Sequence, residues 1–124
     1  MEGMDCPFCG PSRPVVCSNG SAIAIRDAYP VSQGHTLVIP LRHEPDITRL
    51  DPESYRECFD LVRSVIEQLS QEFDPAGFNI GVNIGESAGQ TVNHAHIHVI
   101  PRYTGDTPNP RGGVRGVIAG KADY

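Results

Sequence analysis

Three histidines on alternate residues, His94, His96 and His98, are the densest run of chemistry in this chain. Ala95, Ile97 and Val99 separate and follow them, and Ile100 comes next. In a β-strand successive side chains point to opposite faces, so the three imidazoles would line one face about 6.6 Å apart. A helix would scatter them, so the spacing predicts a strand, here over Thr91 to Arg102. Histidine at neutral pH can ligate a metal, move a proton or act as a nucleophile. Two readings follow. A three-histidine face can hold a catalytic zinc. Alternatively His96 attacks phosphorus, with its other nitrogen bonded to a neighbouring main-chain carbonyl. His98 would then help neutralise the phosphate oxygens, and His35, after Gly34, would complete the polar cluster. Against catalytic zinc, no acidic partner stands beside the triad and a possible anion-binding loop leads straight into it.

That loop runs from Asn83 to Thr91 through Gly85 and Gly89. Its glycines would let backbone N–H groups converge on an anion, and Asn83, Gln90 and Thr91 would add neutral donors. A plain turn is the competing reading. Cys6 and Cys9 form a Cys-x-x-Cys pair, a spacing shared by zinc sites, redox sites and free thiols. A redox pair of the thioredoxin kind opens a helix after a strand, and here no strand precedes it. A closed structural zinc site needs two more ligands, and His43 and His94 would complete a Cys₂His₂ set.

The elements that must position these residues are legible in part. Val15–Ser18 and Ser21–Asp27 flank Asn19-Gly20, which predicts a hairpin with a type I′ turn. Thr36 to Leu41 is an apolar strand, and Pro40 suggests that it is an edge strand or is ending there. Asp51-Pro52-Glu53 reads as N-cap, first helical position and first turn of a helix to about Phe73. Tyr55, Cys58, Phe59, Val62, Val65, Ile66, Leu69 and Phe73 give it one apolar stripe for packing on a sheet, with Cys58 a core residue. Asp74 to Gly77 would stop the helix, and Phe78 to Ile84 would be a strand. Tyr103 to Tyr124 reads as an extended tail with one short strand at Val114 to Ile118.

The 124 residues suffice for one domain with a core. Hydrophobic content is 39%, and the formal net charge is −5. No basic stripe is present, which argues against a duplex nucleic-acid binder while leaving a nucleotide ligand open. No apolar run of membrane-spanning length and no signal peptide are seen, so a cytoplasmic protein that does not bind membranes, with reduced cysteines, is expected.

The run Gly89-Gln90-Thr91-Val92-Asn93-His94-Ala95-His96-Ile97-His98-Val99-Ile100-Pro101-Arg102 resembles the signature of the histidine-triad (HIT) superfamily of nucleotide hydrolases and transferases. Gly34-His35-Thr36-Leu37-Val38-Ile39-Pro40 with Arg42-His43 resembles its second block, and Asp5-Cys6-Pro7-Phe8-Cys9 the zinc-binding start of many bacterial and archaeal members. The resemblance covers about residues 5 to 103, which sets out a domain over 1–103 with a zinc knuckle and a tail over 104–124. It implies an α+β fold with a five-stranded antiparallel sheet, one long and one short helix, paired as a homodimer. It implies that His96 is the nucleophile, transiently nucleotidylated and then hydrolysed, with His98 and His35 beside it. It implies a structural zinc held by Cys6, Cys9, His43 and His94. It also implies that Asp27 holds the ribose hydroxyls, and that Asn83, Gln90 and Thr91, with Gly89 and Val92, lie on the phosphate side. Phe8 and Ile25 would then belong to the base pocket.

Departures exist. Gly10 to Pro14 is shorter and richer in proline than the helix of the purine-nucleoside phosphoramidase branch. Gln90-Thr91 and Pro101-Arg102 are closer to the dinucleoside-polyphosphate hydrolase branch. The tail lies outside the common core, and its Arg111 and Arg115 are candidates for a distal phosphate or plain solvated charges. The expected activity is cleavage at the α-phosphate of adenine dinucleotides such as dinucleoside polyphosphates. The alternatives are hydrolysis of phosphoramidates or other adenylates, and nucleotide binding without catalysis.

Overall fold

The computed structural model describes residues 6–124, so Asp5 of the expected knuckle lies outside the described residues. Five strands form one antiparallel sheet: β1 Val15–Ser18, β2 Ala22–Arg26, β3 Thr36–Pro40, β4 Gly77–Gly81 and β5 Ile97–Arg102. Their spatial order is β1-β2-β3-β5-β4, and α1, Pro52–Phe73, crosses between β3 and β4. The α+β architecture with one long helix is as the sequence implies, and the short helical element is represented by 3₁₀ turns at Ile47–Arg49, Glu86–Ala88 and Gly113–Val117.

α1 begins where its cap dictates. The Asp51 carboxylate accepts from the Ser54 N–H at 3.1 Å, and Pro52 occupies the first helical position, where no N–H is needed. The helix ends at Asp74, which sits in the left-handed region at φ 48°. Its buried line is Cys58, Leu61, Val62, Val65 and Leu69. Tyr55 and Phe59 lie at the shoulder of this line, exposed and packed ring to ring at 5.2 Å, so the predicted stripe is displaced towards Leu61. Burial pushes the Cys58 thiol up to about 11, helped by Glu57 and Asp51, and makes it an inert core side chain.

The two sheet faces divide the labour. Ala22, Ala24, Val38, Ile97 and Val99 face α1 and form one core with it. Ile25, Leu37 and Ile39 form a second cluster on the opposite face, where Phe8 of the cysteine segment covers them. Leu37 pairs with His98 across β3 and β5, so His98 emerges on this second face, away from the helix.

Several boundaries differ from expectation. β3 is central, and Pro40 marks its end, not an edge. β4 stops at Gly81, before the predicted Ile84. Neither Asn19 nor Gly20 has positive φ, so the hairpin has no type I′ turn. Instead the Asn19 side-chain oxygen Oδ1 accepts from Ser21 N–H and Ala22 N–H, while its side-chain Nδ2–H donates to the Glu57 carbonyl of α1. The helix captures the turn and sets its form. The predicted strand at Val114 to Ile118 is a 3₁₀ turn over Gly113–Val117, entered through two left-handed glycines.

Candidate active site

The histidine row is not one strand. β5 begins only at Ile97, and Asn93 to His96 curl ahead of it. Ala95, Ile97 and Val99 still enter the core. The curl sends the three histidines to different tasks. His94 is fully buried, and its Nε2–H donates to the Pro40 carbonyl at 2.9 Å. Its Nδ1 lone pair therefore faces Cys6 Sγ at 3.3 Å, Cys9 Sγ at 3.5 Å and His43 Nδ1 at 3.2 Å. Cys9 Sγ lies 3.1 Å from His43 Nδ1, and all four donor atoms fall within 4.8 Å of one another. Two thiol sulfurs and two ring nitrogens converging like this match a tetrahedral zinc set, with the Pro40 carbonyl fixing the ligand tautomer of His94. Burial, with His43 and His96 adding to it, lowers the His94 pKa and keeps that ring neutral, as ligation requires.

His96 turns the other way. Its Nδ1–H donates to the His94 carbonyl at 2.9 Å, which leaves the Nε2 lone pair free. Its ring centroid lies 5.0 Å from that of His98 and 5.0 Å from that of Phe8.

His98 and His35 form a pair. The Val31 N–H donates to His35 Nδ1 at 3.1 Å, so neutral His35 carries its proton on Nε2. That Nε2–H reaches His98 Nδ1 at 3.0 Å, and the Asp27 carboxylate lies alongside with Oδ2 3.4 Å from His35 Nε2. His98 must then hold its own proton on Nε2. Burial, with His96 and His35 beside it, lowers the His98 pKa to about 4, and Asp27 only partly opposes this. Burial likewise lowers that of His35 against the pull of Asp27. Both rings are neutral at physiological pH.

These groups line a cavity of about 540 Å³ on the sheet face opposite α1. It gathers Phe8, Ile25, Asp27, His35, Asn83, Gly89, Thr91, Val92, His96 and His98, which the sequence had scattered over ninety residues. Val31 and Leu37 also line it and carried no signal in the sequence. Gln90 is not among the lining residues. Its side-chain oxygen accepts from the Gly85 N–H, and its amide donates to the Pro45 and Val92 carbonyls. The loop's own N–H groups are also engaged internally, with Ala88, Gly89 and Gln90 donating to Gly85 and Glu86 carbonyls. Four of the loop's N–H groups, those of Gly85, Ala88, Gly89 and Gln90, are thus spent within a turn that Gln90 clamps, and the loop brings Asn83, Gly89, Thr91 and Val92 to the cavity.

The tail's arginines point elsewhere. Arg115 stacks over the Tyr124 ring at 4.2 Å and donates to the Lys121 carbonyl, while Arg111 pairs with Asp123 at 3.7 Å. No helix among the described residues is long and apolar enough to cross a membrane.

Comparison with known proteins adds the lineage. The family described as HIT domain matches residues 12–105. An uncharacterized 16.1 kDa HIT-like protein of Mycoplasma pneumoniae is 42% identical over 108 residues, 83% of this chain and 75% of that one. A bis(5'-nucleosyl)-tetraphosphatase (asymmetrical) of Schizosaccharomyces pombe is 42% identical over 77 residues, 62% of this chain and 42% of that one. Among solved structures, a HIT family protein from Bacillus anthracis has TM-score 0.77 at 40% identity, covering 82% of this chain and 76% of that one. A zinc-bound histidine triad family protein from Mycobacterium smegmatis has TM-score 0.76 at 33% identity, covering 86% and 81%. The chain spans between 42% and 75% of the length of the curated relatives it matches.

Proposed function

The chain belongs to the HIT domain family, and from that premise we propose that it hydrolyses nucleotides at the α-phosphate through a covalent nucleotidyl-His96 intermediate. The observation that carries the reading is the Nδ1–H of His96 bonded to the His94 carbonyl, beside a cavity of nucleotide size. Nε2 of His96 attacks phosphorus, the P–Nε2 bond forms, and the bond to the leaving group breaks. The leaving group departs with the electron pair and gains a proton. The His94 carbonyl stabilises the positive charge that the ring acquires. His98 Nε2–H and the Asn83 amide face the non-bridging oxygens, where charge builds. Water then attacks the same phosphorus, the P–Nε2 bond breaks, and a nucleoside monophosphate leaves with His96 neutral again. Asp27 accepts from the ribose hydroxyls, and Phe8 and Ile25 pack on the base.

Relatives named as a tetraphosphatase and as an AP-4-A phosphorylase favour dinucleoside polyphosphates as the substrate class, and phosphoramidates or other adenylates are the alternative that the same reaction would serve. Zinc on Cys6, Cys9, His43 and His94 would be structural, tying the Phe8 segment to β3 and the triad. A homodimer is part of the same reading, since β4 is an edge strand and Tyr55 and Phe59 are exposed on α1. Light scattering of the purified protein tests it.

The deciding experiment is rapid quench into alkali with adenine nucleotides, followed by mass spectrometry. A labile adduct of one AMP on His96, absent in His96→Ala, is expected. Turnover by His96→Ala at the wild-type rate would sink the scheme.

A further inference from the structure

The cavity crosses the sheet, and its residues can be placed strand by strand. His98 is on β5 with His96 just ahead of it, and Leu37 is on β3 with His35 just ahead of it. Ile25 is on β2 with Asp27 just past it, and Arg13 stands two residues ahead of β1. These strands run in the order β1-β2-β3-β5, and neighbours in a sheet lie roughly 4.8 Å apart. Arg13 is thus three strands from the histidine row, on the order of 14 Å, with Asp27 between them. That is too far to reach a phosphate on His96. A nucleotide with its phosphate at His96 and its ribose at Asp27 carries its base further along the same line. The base then lies on Phe8 and Ile25, with Arg13 at its outer edge.

Arg13 is the one lysine or arginine among the residues that line the cavity. It is exposed at the rim but tethered, because its Nε–H donates to the Arg26 carbonyl at 2.9 Å. Among the described residues nothing accepts from its two Nη groups. The Asp27 carboxylate is turned elsewhere. Its Oδ1 takes the Tyr29 N–H at 2.9 Å, and its Oδ2 lies 3.4 Å from His35 Nε2. Arg26 offers the cavity no second cation, since its guanidinium donates to Thr36 and to Glu72 of α1.

A guanidinium only donates, and it does so as a planar fork that suits two acceptors side by side. Guanine presents such a pair, O6 and N7. Adenine presents N7 beside the N6 amine, which is itself a donor, so one N–H would be turned against another. Phe8 and Ile25 meet the faces of either purine alike. Discrimination between the two therefore falls to the group at the edge.

We propose that Arg13 reads the edge of the base and selects guanine over adenine, as a specificity-determining residue of the nucleotide site. The proposal rests on the nucleotide reading above and names its substrate class: guanine nucleotides, held at O6 and N7 by the two Nη groups.

The test measures binding of four nucleoside monophosphates to the full chain by titration calorimetry, which needs no turnover. GMP and IMP, which share O6 and N7, should bind about tenfold tighter than AMP. 7-Deaza-GMP, which lacks the N7 acceptor, should lose most of that advantage. Arg13→Ala, at an exposed position, should bring GMP, IMP and AMP to within about twofold of one another. A purely structural Arg13 would weaken all three in proportion and leave their ratio unchanged. Wild-type affinities for GMP and AMP within about twofold, or a guanine preference that survives in Arg13→Ala or with 7-deaza-GMP, overturn the base reading and leave the nucleotide site standing. Binding of none of the four overturns the nucleotide reading and this one with it. A guanine preference that Arg13→Ala abolishes, in a protein that forms no adduct on His96, upholds the selection and sinks only the hydrolase.

Discussion

His35 on β3 and His98 on β5 meet ring to ring across the paired strands, with Nε2 of the first 3.0 Å from Nδ1 of the second. The direction of the bond is set from outside the pair, because the Val31 N–H occupies His35 Nδ1. A main-chain amide thus fixes the tautomer of His35, and His35 fixes that of His98. The outcome is a neutral His98 with Nε2–H available for a phosphate oxygen.

In the proposed reaction His35 would therefore act as a positioning residue. His35→Ala frees His98 to rotate or to take the wrong tautomer. Misplacement of this kind lowers kcat by about 100-fold. KM should change much less, because Asp27 and the apolar wall remain. His35→Gln, which can donate from its amide to His98 Nδ1, should recover part of the loss. Steady-state kinetics on the three proteins decide it: equal losses in Ala and Gln variants would remove the orienting role.

Stability should depend on pH through His98. Burial and the two neighbouring histidines lower its folded pKa from 6.5 to about 4. The unfolded chain thus binds this proton first as pH falls. The contribution is fully present above pH 6.5 and is lost as pH drops from 6.5 through about 4. Urea titrations from pH 7 to 4.5 should show falling stability, and His98→Gln should flatten part of that slope. A parallel slope in the variant would show that His98 is not the group responsible.

Metal content separates the two roles proposed within the histidine row. About one zinc per chain is expected in the wild type and in His96→Ala, and almost none in Cys6→Ser or His94→Ala. Because Phe8 lies between Cys6 and Cys9 and covers Ile25 and Leu37, metal loss should also raise KM and lower the melting temperature. Elemental analysis with kinetics tests both. Zinc lost with His96 and kept without Cys6 would place the metal in the cavity instead.

What the sequence conveyed and what it withheld divide along contact range. The start of α1 was legible because Asp51, Ser54 and Pro52 settle it within one turn. The four metal-type donors were legible by counting cysteines and histidines, and the cavity residues through the family signature. The Asn19-Gly20 turn was misjudged because α1 bonds Asn19 from 38 residues away. Gln90 reads as a phosphate donor by type, yet the Pro45 carbonyl, 45 residues distant, takes its amide. The break between His94 and His98 was hidden for the same reason: the cysteine cluster and Pro40 draw His94 out of the strand direction. Val31 offered no signal at all, since a main-chain N–H gains a role only through what folds against it.

Gly34 ties this long-range packing to the site. It stands immediately before His35 with φ at 90°, a region that L side chains rarely adopt. A Cβ there would lie 2.9 Å from two Phe73 ring carbons and 3.0 Å from a Leu69 methyl, at the C-terminal end of α1. Gly34→Ala therefore meets two penalties, backbone strain of about 1–3 kcal/mol and overpacking of similar size. The melting temperature should fall by on the order of 10 °C. Adding Phe73→Leu removes the ring contacts but not the strain, so the double variant should recover only part of the loss. Any shift of the chain at Gly34 also moves His35 against His98, so kcat should fall in the single variant even at temperatures where it remains folded. Thermal melts and kinetics on the two variants give the answer, and a Gly34→Ala protein with wild-type melting and wild-type kcat would refute the coupling.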